Sequence, residues 1–306
     1  MWQCARQWGK GIEWRVLFVL VLLGAYGEAW AACAAGAGGR DTLREWKRAG
    51  FVVPEEARRE RLVATLVDCL ASPDPALRDG LGYEGLQALL RASALGPDAL
   101  RALRDRLLVM LTTADKQGVT RPFVALVLSE VARTDRVAPW MRAEERAAMV
   151  ERAAAYLVSV DDYRGFDKKV GWRHGVAHGA DWAMQLAMNP ALERAQLERL
   201  RDAVAAQAVP ASGHAYVFGE PERLARPLLF IAKRNLHDEA AWTAWFTTLP
   251  AALGAPALAW KDEGWLARRH DLGAFLRVLY LEADRSEDPG VVKLRPGILA
   301  ALKTLP

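Results

Sequence analysis

Cysteine is scarce in this chain, with three residues in 306, and no two of them are spaced C-x-x-C. That excludes a paired-thiolate zinc site and a dithiol redox motif. No G-x-x-x-x-G-K-S/T phosphate loop, no G-x-G-x-x-G after a strand pattern and no G-x-S-x-G elbow occurs, so nucleotide binding and serine hydrolysis of the common kinds lose their sequence basis. No H-E-x-x-H is present, because Gly175 follows His174 where a zinc protease needs its glutamate. No apolar run reaches the ~20 residues of a membrane-spanning helix. The net charge is +4, with Lys and Arg interspersed among Asp and Glu, so there is no basic stripe of the kind that grips nucleic acid. Runs of alternating or β-branched residues that would mark strands are also missing.

What remains is a helical chain with 52% hydrophobic and 25% charged residues, enough for a substantial core. At its start, Arg6, Lys10 and Arg15 precede a short apolar stretch, Val16 to Ala25. Ala29-Trp30-Ala31 then gives a small-x-small pattern. Residues 1–31 therefore read as a signal peptide cleaved after Ala31, with the mature protein periplasmic or secreted. An uncleaved leader would anchor it to the membrane instead. Cys33, after Ala31-Ala32, also resembles a lipidation site, although Trp30 stands where a Leu-like residue is expected. Cleavage leaves Cys33 and Cys69, and an oxidising compartment permits them to pair.

Residues 32–49 read as a linker and a short helix, and 50–306 as a single helical domain. Pro54-Glu55-Glu56 opens a helix, and Ser72-Pro73-Asp74-Pro75 breaks it. Further helices are predicted near 76–93, 98–113, 121–134, 142–159, 172–188, 191–207, 221–234, 238–253, 264–283 and 292–303. Short breakers such as Gly96-Pro97, Asn189-Pro190 and Asp288-Pro289-Gly290 separate them. Consecutive helices with short connections imply an all-α fold of stacked antiparallel hairpins. Without a repeated motif, this is an irregular α-solenoid or a curled α/α array.

The densest chemistry lies between Asp161 and Gln185. At about 100° per residue, His174, His178, Asp181 and Gln185 fall within a narrow arc at roughly 0°, 40°, −20° and 20°. The rest of that helix is apolar or small, so the four must line a wet pocket or form an internal network. H-x3-H suits two ligands of one divalent metal ion such as zinc, at His174 and His178, with a metal-free pocket or a purely structural network as the alternatives. Asp181 is too far along the axis to join His174 easily and is expected to orient His178. Gly175 and Gly179 make a small-residue groove suited to close helix packing. Before the helix, Asp162 and Arg164 form a candidate clamp, and Trp172 either stacks on a ligand or caps the core.

A second cluster contains His214, Glu220, Glu222 and Arg223. Acids at a helix start are favoured without any function, yet Glu220 and Glu222 are also candidate acid and base, with His214 and Arg223 as binding groups. Asp162 or Asp181 could oppose these carboxylates across a glycosidic bond. His237 reads as part of a solvated turn and His270 as structural, while Trp242, Trp245, Trp260 and Trp265 read as core, with a sugar platform as the alternative.

These residues resemble a bacterial family of uncharacterised proteins, domain of unknown function 2785. The resemblance rests on R-G-F, G-W-R-H-G-V-A-H-G-A-D and E-P-E-R-L, matching Arg164, Gly165, Phe166, Gly171, Trp172, His174, His178, Asp181, Glu220, Glu222, Arg223 and Leu224. It is expected to span about residues 50 to 303. It implies a helical domain and supplies no reaction.

Two functions follow as expectations. One is an exported hydrolase whose pocket is lined by His174, His178, Asp181, Glu220 and Glu222, working through a metal or by acid/base catalysis on an unknown small molecule. The other is a non-catalytic α-solenoid scaffold that binds a protein or a cell-envelope component.

Overall fold

A computed structural model describes Cys33 and residues 40–306. The predicted leader lies outside the described residues. Helices follow one another as α1 (Arg40–Arg48), α2 (Glu56–Cys69), α3 (Pro75–Leu77), α4 (Glu84–Arg91), α5 (Pro97–Met110), α6 (Thr120–Val137) and α7 (Ala143–Ser159). A small hairpin, β1 (Phe166–Asp167) and β2 (Gly171–Trp172), interrupts them. The chain continues through α8 (Gly175–Ala187), α9 (Arg194–Ala208), α10 (Glu220–Lys233), α11 (Glu239–Phe246), α12 (Glu263–Arg285), α13 (Pro289–Val292) and α14 (Arg295–Thr304).

The predicted boundaries come from local chemistry and match closely. Asp74, Asp238, Asp262 and Asp288 each accept a backbone N–H at a helix start, satisfying donors that have no partner inside the helix. Three departures are informative. Arg78–Tyr83 joins α3 to α4 as a π-helical segment. The expected helix at 238–253 ends at Phe246 and gives way to a 3-10 turn at Leu249–Leu253, where Pro250 interrupts the helical hydrogen bonds. The hairpin was not expected at all, since each strand is two residues long and too short to show any period.

Helices α6, α8 and α10 lie side by side in one layer, and α7 and α9 pack behind them. Consecutive helices thus alternate between layers, as antiparallel hairpins joined by short turns must. Helix α8 is the centre of this arrangement and touches α6, α7, α9 and α10. Gly179 permits the approach of α7, because a Cβ there would meet Leu157 Cδ1 at 2.9 Å and the ring of Tyr156 at 3.0 Å. The buried apolar residues form one contiguous cluster from Cys33 to Ala301. Cys33 and Cys69 are joined by a disulfide, which tethers the segment before α1 to the end of α2.

Candidate functional site

The site begins at the hairpin. The Asp167 carboxylate accepts from the backbone N–H groups of Lys169 (2.9 Å) and Val170 (2.7 Å), forming the turn. Gly171 follows at φ +74°, the left-handed region that glycine enters without strain. Arg78, fully buried in the π-helical segment, fixes the hairpin from below. Its guanidinium donates to the carbonyls of Val170 (2.8 Å) and Trp172 (3.3 Å) and lies over the Phe123 ring. Asp79 supplies its counter-charge at 2.7 Å. Arg173 pairs with Asp167 (2.5 Å) and donates to the Gln117 carbonyl (2.9 Å).

His174 ends the hairpin at φ 55°, so α8 starts at Gly175 and not at Trp172. This corrects the expected helix start. The polar stripe on α8 itself is His178, Asp181 and Gln185, and His174 reaches the region from its N-cap. The two imidazoles lie 6.0 Å apart between ring centres. His178 is buried against Phe123, and its Nδ1 makes a 3.1 Å hydrogen bond with the Pro122 carbonyl. A carbonyl can only accept, so Nδ1 carries the proton. Burial, then the proximity of His174 and Arg223, lowers the His178 pKa to about 3. Burial, then Arg223, lowers His174 to about 4. Both rings are neutral at pH 7.

Asp181 does not orient His178, contrary to expectation. Its carboxylate is taken by Arg223, whose Nε sits 3.1 Å from Oδ1 and whose NH2 contacts Oδ2. Burial nevertheless lifts the Asp181 pKa above the ordinary range. Gln185 accepts from Arg136 on α6 at 3.2 Å. Glu220 is buried at the start of α10, with Oε2 accepting from Phe218 N–H (3.0 Å) and Oε1 4.0 Å from His174 Nδ1. That His174 nitrogen is buried without a hydrogen bond among the described residues. Glu222 is exposed, so the two glutamates face different surroundings. Asp162 binds Arg164 through Nε (2.7 Å) and NH2 (2.5 Å), the clamp expected from their spacing. A three-carboxylate or His/carboxylate cluster able to hold a metal ion does not occur among the described residues. His174 and His178 are therefore two candidate ligands without a third.

Trp172 is 39% exposed and does not cap the core. It stacks face to face on His174 at 4.1 Å and meets Phe166 (5.1 Å) and Phe218 (5.8 Å). Phe166 and Phe218 are also exposed, at 50% and 37%. Beside these rings opens a groove of about 480 Å³. Its walls are the loop 161–167, Arg173, His214 and Phe218. His214 stacks on Tyr163 at 5.0 Å, and its Nε2 is buried without a partner among the described residues. His178, Asp181 and Glu220 do not line this groove.

Sequence reading thus missed Arg78, Tyr163, Phe166 and Phe218 as site-forming residues. Arg173 and Phe166 stood inside the motifs and were passed over. For Arg78 there was no local signal, because its partners lie more than ninety residues away. His237 also differs from expectation. It is buried against Trp242 and bonded to Glu198 at 3.0 Å, not in a solvated turn. Trp242 and Trp265 are core, whereas Trp260 is exposed beside Arg269.

A search of curated proteins finds no match. A crystal structure titled as that of an engineered protein is 12% identical and covers 92% of this chain and 95% of its own. Its TM-score of 0.20 is too low to carry any argument. The model of one family matches residues 107–281, a shorter span than the motifs implied but one that contains every motif residue. Since that match takes in more than half of the chain, the protein belongs to the family described as protein of unknown function (DUF2785).

Proposed function

We propose that this protein is an exported helical binding module that holds a cell-envelope component or envelope protein at the hairpin groove, and that it is not a hydrolase. One observation carries this reading. His178, Asp181 and Glu220 are held by the Pro122 carbonyl, Arg223 and the Phe218 N–H in turn, while exposed aromatic rings gather beside an open groove. A general base works best with a pKa near the working pH. His174 and His178, at about 4 and 3, are far from it. Asp162 and Asp181 each serve a guanidinium and are not free to oppose Glu220. The Cys33–Cys69 disulfide suits an oxidising compartment, which supports export, and it uses the Cys33 sulfur that a lipid would otherwise take.

A second reading has one observation in its favour. The unpartnered His174 Nδ1 faces buried Glu220, the arrangement of an oriented imidazole base. One experiment separates the two. The full chain, processed as the cell leaves it, is assayed against panels of esters, amides, phosphate esters and glycosides, with and without added zinc. The same preparation is tested for retention on isolated envelope fractions. The binding reading expects retention that weakens in Phe166→Ala and no turnover with any panel. Turnover that disappears in a folded His174→Ala variant would overturn it.

A further inference from the structure

We infer that the hairpin groove is a binding site for neutral saccharides, an inference that rests on the binding reading above. Both guanidiniums of the groove are already paired, and the exposed Asp161 carboxylate is its one charge without a partner among the described residues. Arg164 is engaged by Asp162 and by the Gln117 carbonyl, and Arg173 by Asp167 and the same carbonyl. Neither guanidinium is available as an uncompensated cation, so the groove is poorly made for a phosphate or carboxylate ligand. Paired charges do retain unused lone pairs and N–H groups at the groove surface. Tyr163 and His214 also line the groove, although the His214 Nε2 is buried and does not open onto it, and the exposed Asp161 carboxylate adds a further acceptor. A ligand that both donates and accepts hydrogen bonds, without net charge, is what these groups can serve.

The aromatic rings narrow the class further. Phe218 forms part of the groove wall, and Phe166, also on the wall, leads out to Trp172. A contiguous exposed set of rings has a cost in water that a partner's apolar surface relieves. The face of an aromatic ring is electron-rich and attracts the electropositive edges of C–H bonds. A pyranose combines a face of C–H bonds with a rim of hydroxyls. It therefore matches a groove lined both by exposed rings and by polar side chains whose guanidiniums are already paired. Gly165 shapes this wall, because any Cβ there would occupy the space of the Phe218 ring.

The test uses the full processed chain with cellotetraose, maltotetraose and the β-1,4-linked N-acetylglucosamine tetramer as neutral probes. A sulfated heparin tetrasaccharide is the anionic probe. Binding is read by calorimetry and by saturation transfer to the sugar ring protons. At least one neutral probe should bind in the millimolar to micromolar range, and Phe166→Ala and Phe218→Ala should each weaken it about tenfold, an aromatic-anchor effect. Gly165→Ala, which pushes Phe218 aside, should weaken it too. Trp260→Ala, at the exposed tryptophan outside the groove, should not. Absence of neutral binding at millimolar probe, binding of the anionic probe alone, or equal loss in Trp260→Ala would each overturn the inference. A photocrosslinker at position 166 and a reducing-end assay keep the two proposals apart. Crosslinking to a defined envelope protein without sugar binding removes the saccharide and leaves the binding reading. Release of reducing ends dependent on His174 keeps the ligand class and removes the non-catalytic reading.

Discussion

Acidification should destabilise this protein through His178, and the size of the effect follows from its burial. The folded pKa is about 3 against an ordinary value of 6.5. Between those values the unfolded chain binds a proton that the folded chain refuses. The stability that depends on neutral His178 is fully present above pH 6.5 and is lost as pH falls toward 3. One proton of difference corresponds to about 1.4 kcal/mol per pH unit. From pH 6.5 to about 4.5 the loss from His178 alone is then roughly 2–3 kcal/mol. His174, held near 4, acts in the same direction. Asp271 acts oppositely, since burial raises its carboxyl to about 7 and the folded chain holds that proton first. The wild-type slope is therefore a balance, and the difference between two proteins is the clean quantity. His178→Asn keeps an N–H donor for the Pro122 carbonyl, retains a polar group of similar reach and does not titrate. Urea unfolding at 25 °C, run at half-unit steps from pH 6.5 to 4.5, gives the stability of each protein. The variant's curve should be flatter by about 1.4 kcal/mol per pH unit. Equal slopes would show that His178 is not held neutral by burial and would refute the reasoning.

Other expected outcomes test other parts of the structure. Removing one partner of the Asp181–Arg223 pair, as in Arg223→Ala, should cost about 2–4 kcal/mol, less than a fully buried pair because Arg223 reaches solvent. A double-mutant cycle with Asp181→Leu should recover much of that loss. Arg78→Lys should destabilise by about 3 kcal/mol or more, since a lysine cannot fork to the Val170 and Trp172 carbonyls while lying over Phe123. Near-ultraviolet circular dichroism should report the loosened hairpin. Reducing the Cys33–Cys69 disulfide, which closes a 36-residue separation, should lower stability by up to about 4 kcal/mol on a chain-entropy basis. Thermal unfolding with and without reductant, alongside intact mass, measures this, and a lipid mass on Cys33 would contradict the bond. Gly118→Ala should disturb the Asp162–Arg164 clamp, because Gly118 has φ +66° and its added methyl would meet both side chains. The loss of stability is read in the same unfolding experiment.

The sequence by itself determined the features that depend on local chemistry. Helix boundaries follow from caps and breakers within a few residues, and the class follows from the apolar period. The polar stripe was legible because His178, Asp181 and Gln185 align on an otherwise apolar helix, whereas the groove beside it was not, because Arg173, His214 and Phe218 meet the 161–167 loop only in the fold. The family could be read from the same motif. Tertiary structure alone decided what those groups bond to. The Pro122 carbonyl and not Asp181 holds His178, since helix α6 brings it there from 56 residues away. Arg223 claims Asp181 across 42 residues. Trp172 faces solvent and not core because a two-residue strand, anchored by distant Arg78, turns it outward. For His178 and Asp181 a short-range rule gave the residue its helix, and the packing of layers gave it a partner. No local spacing encodes that choice, because the hydrogen bonds that fix it close loops of forty residues or more.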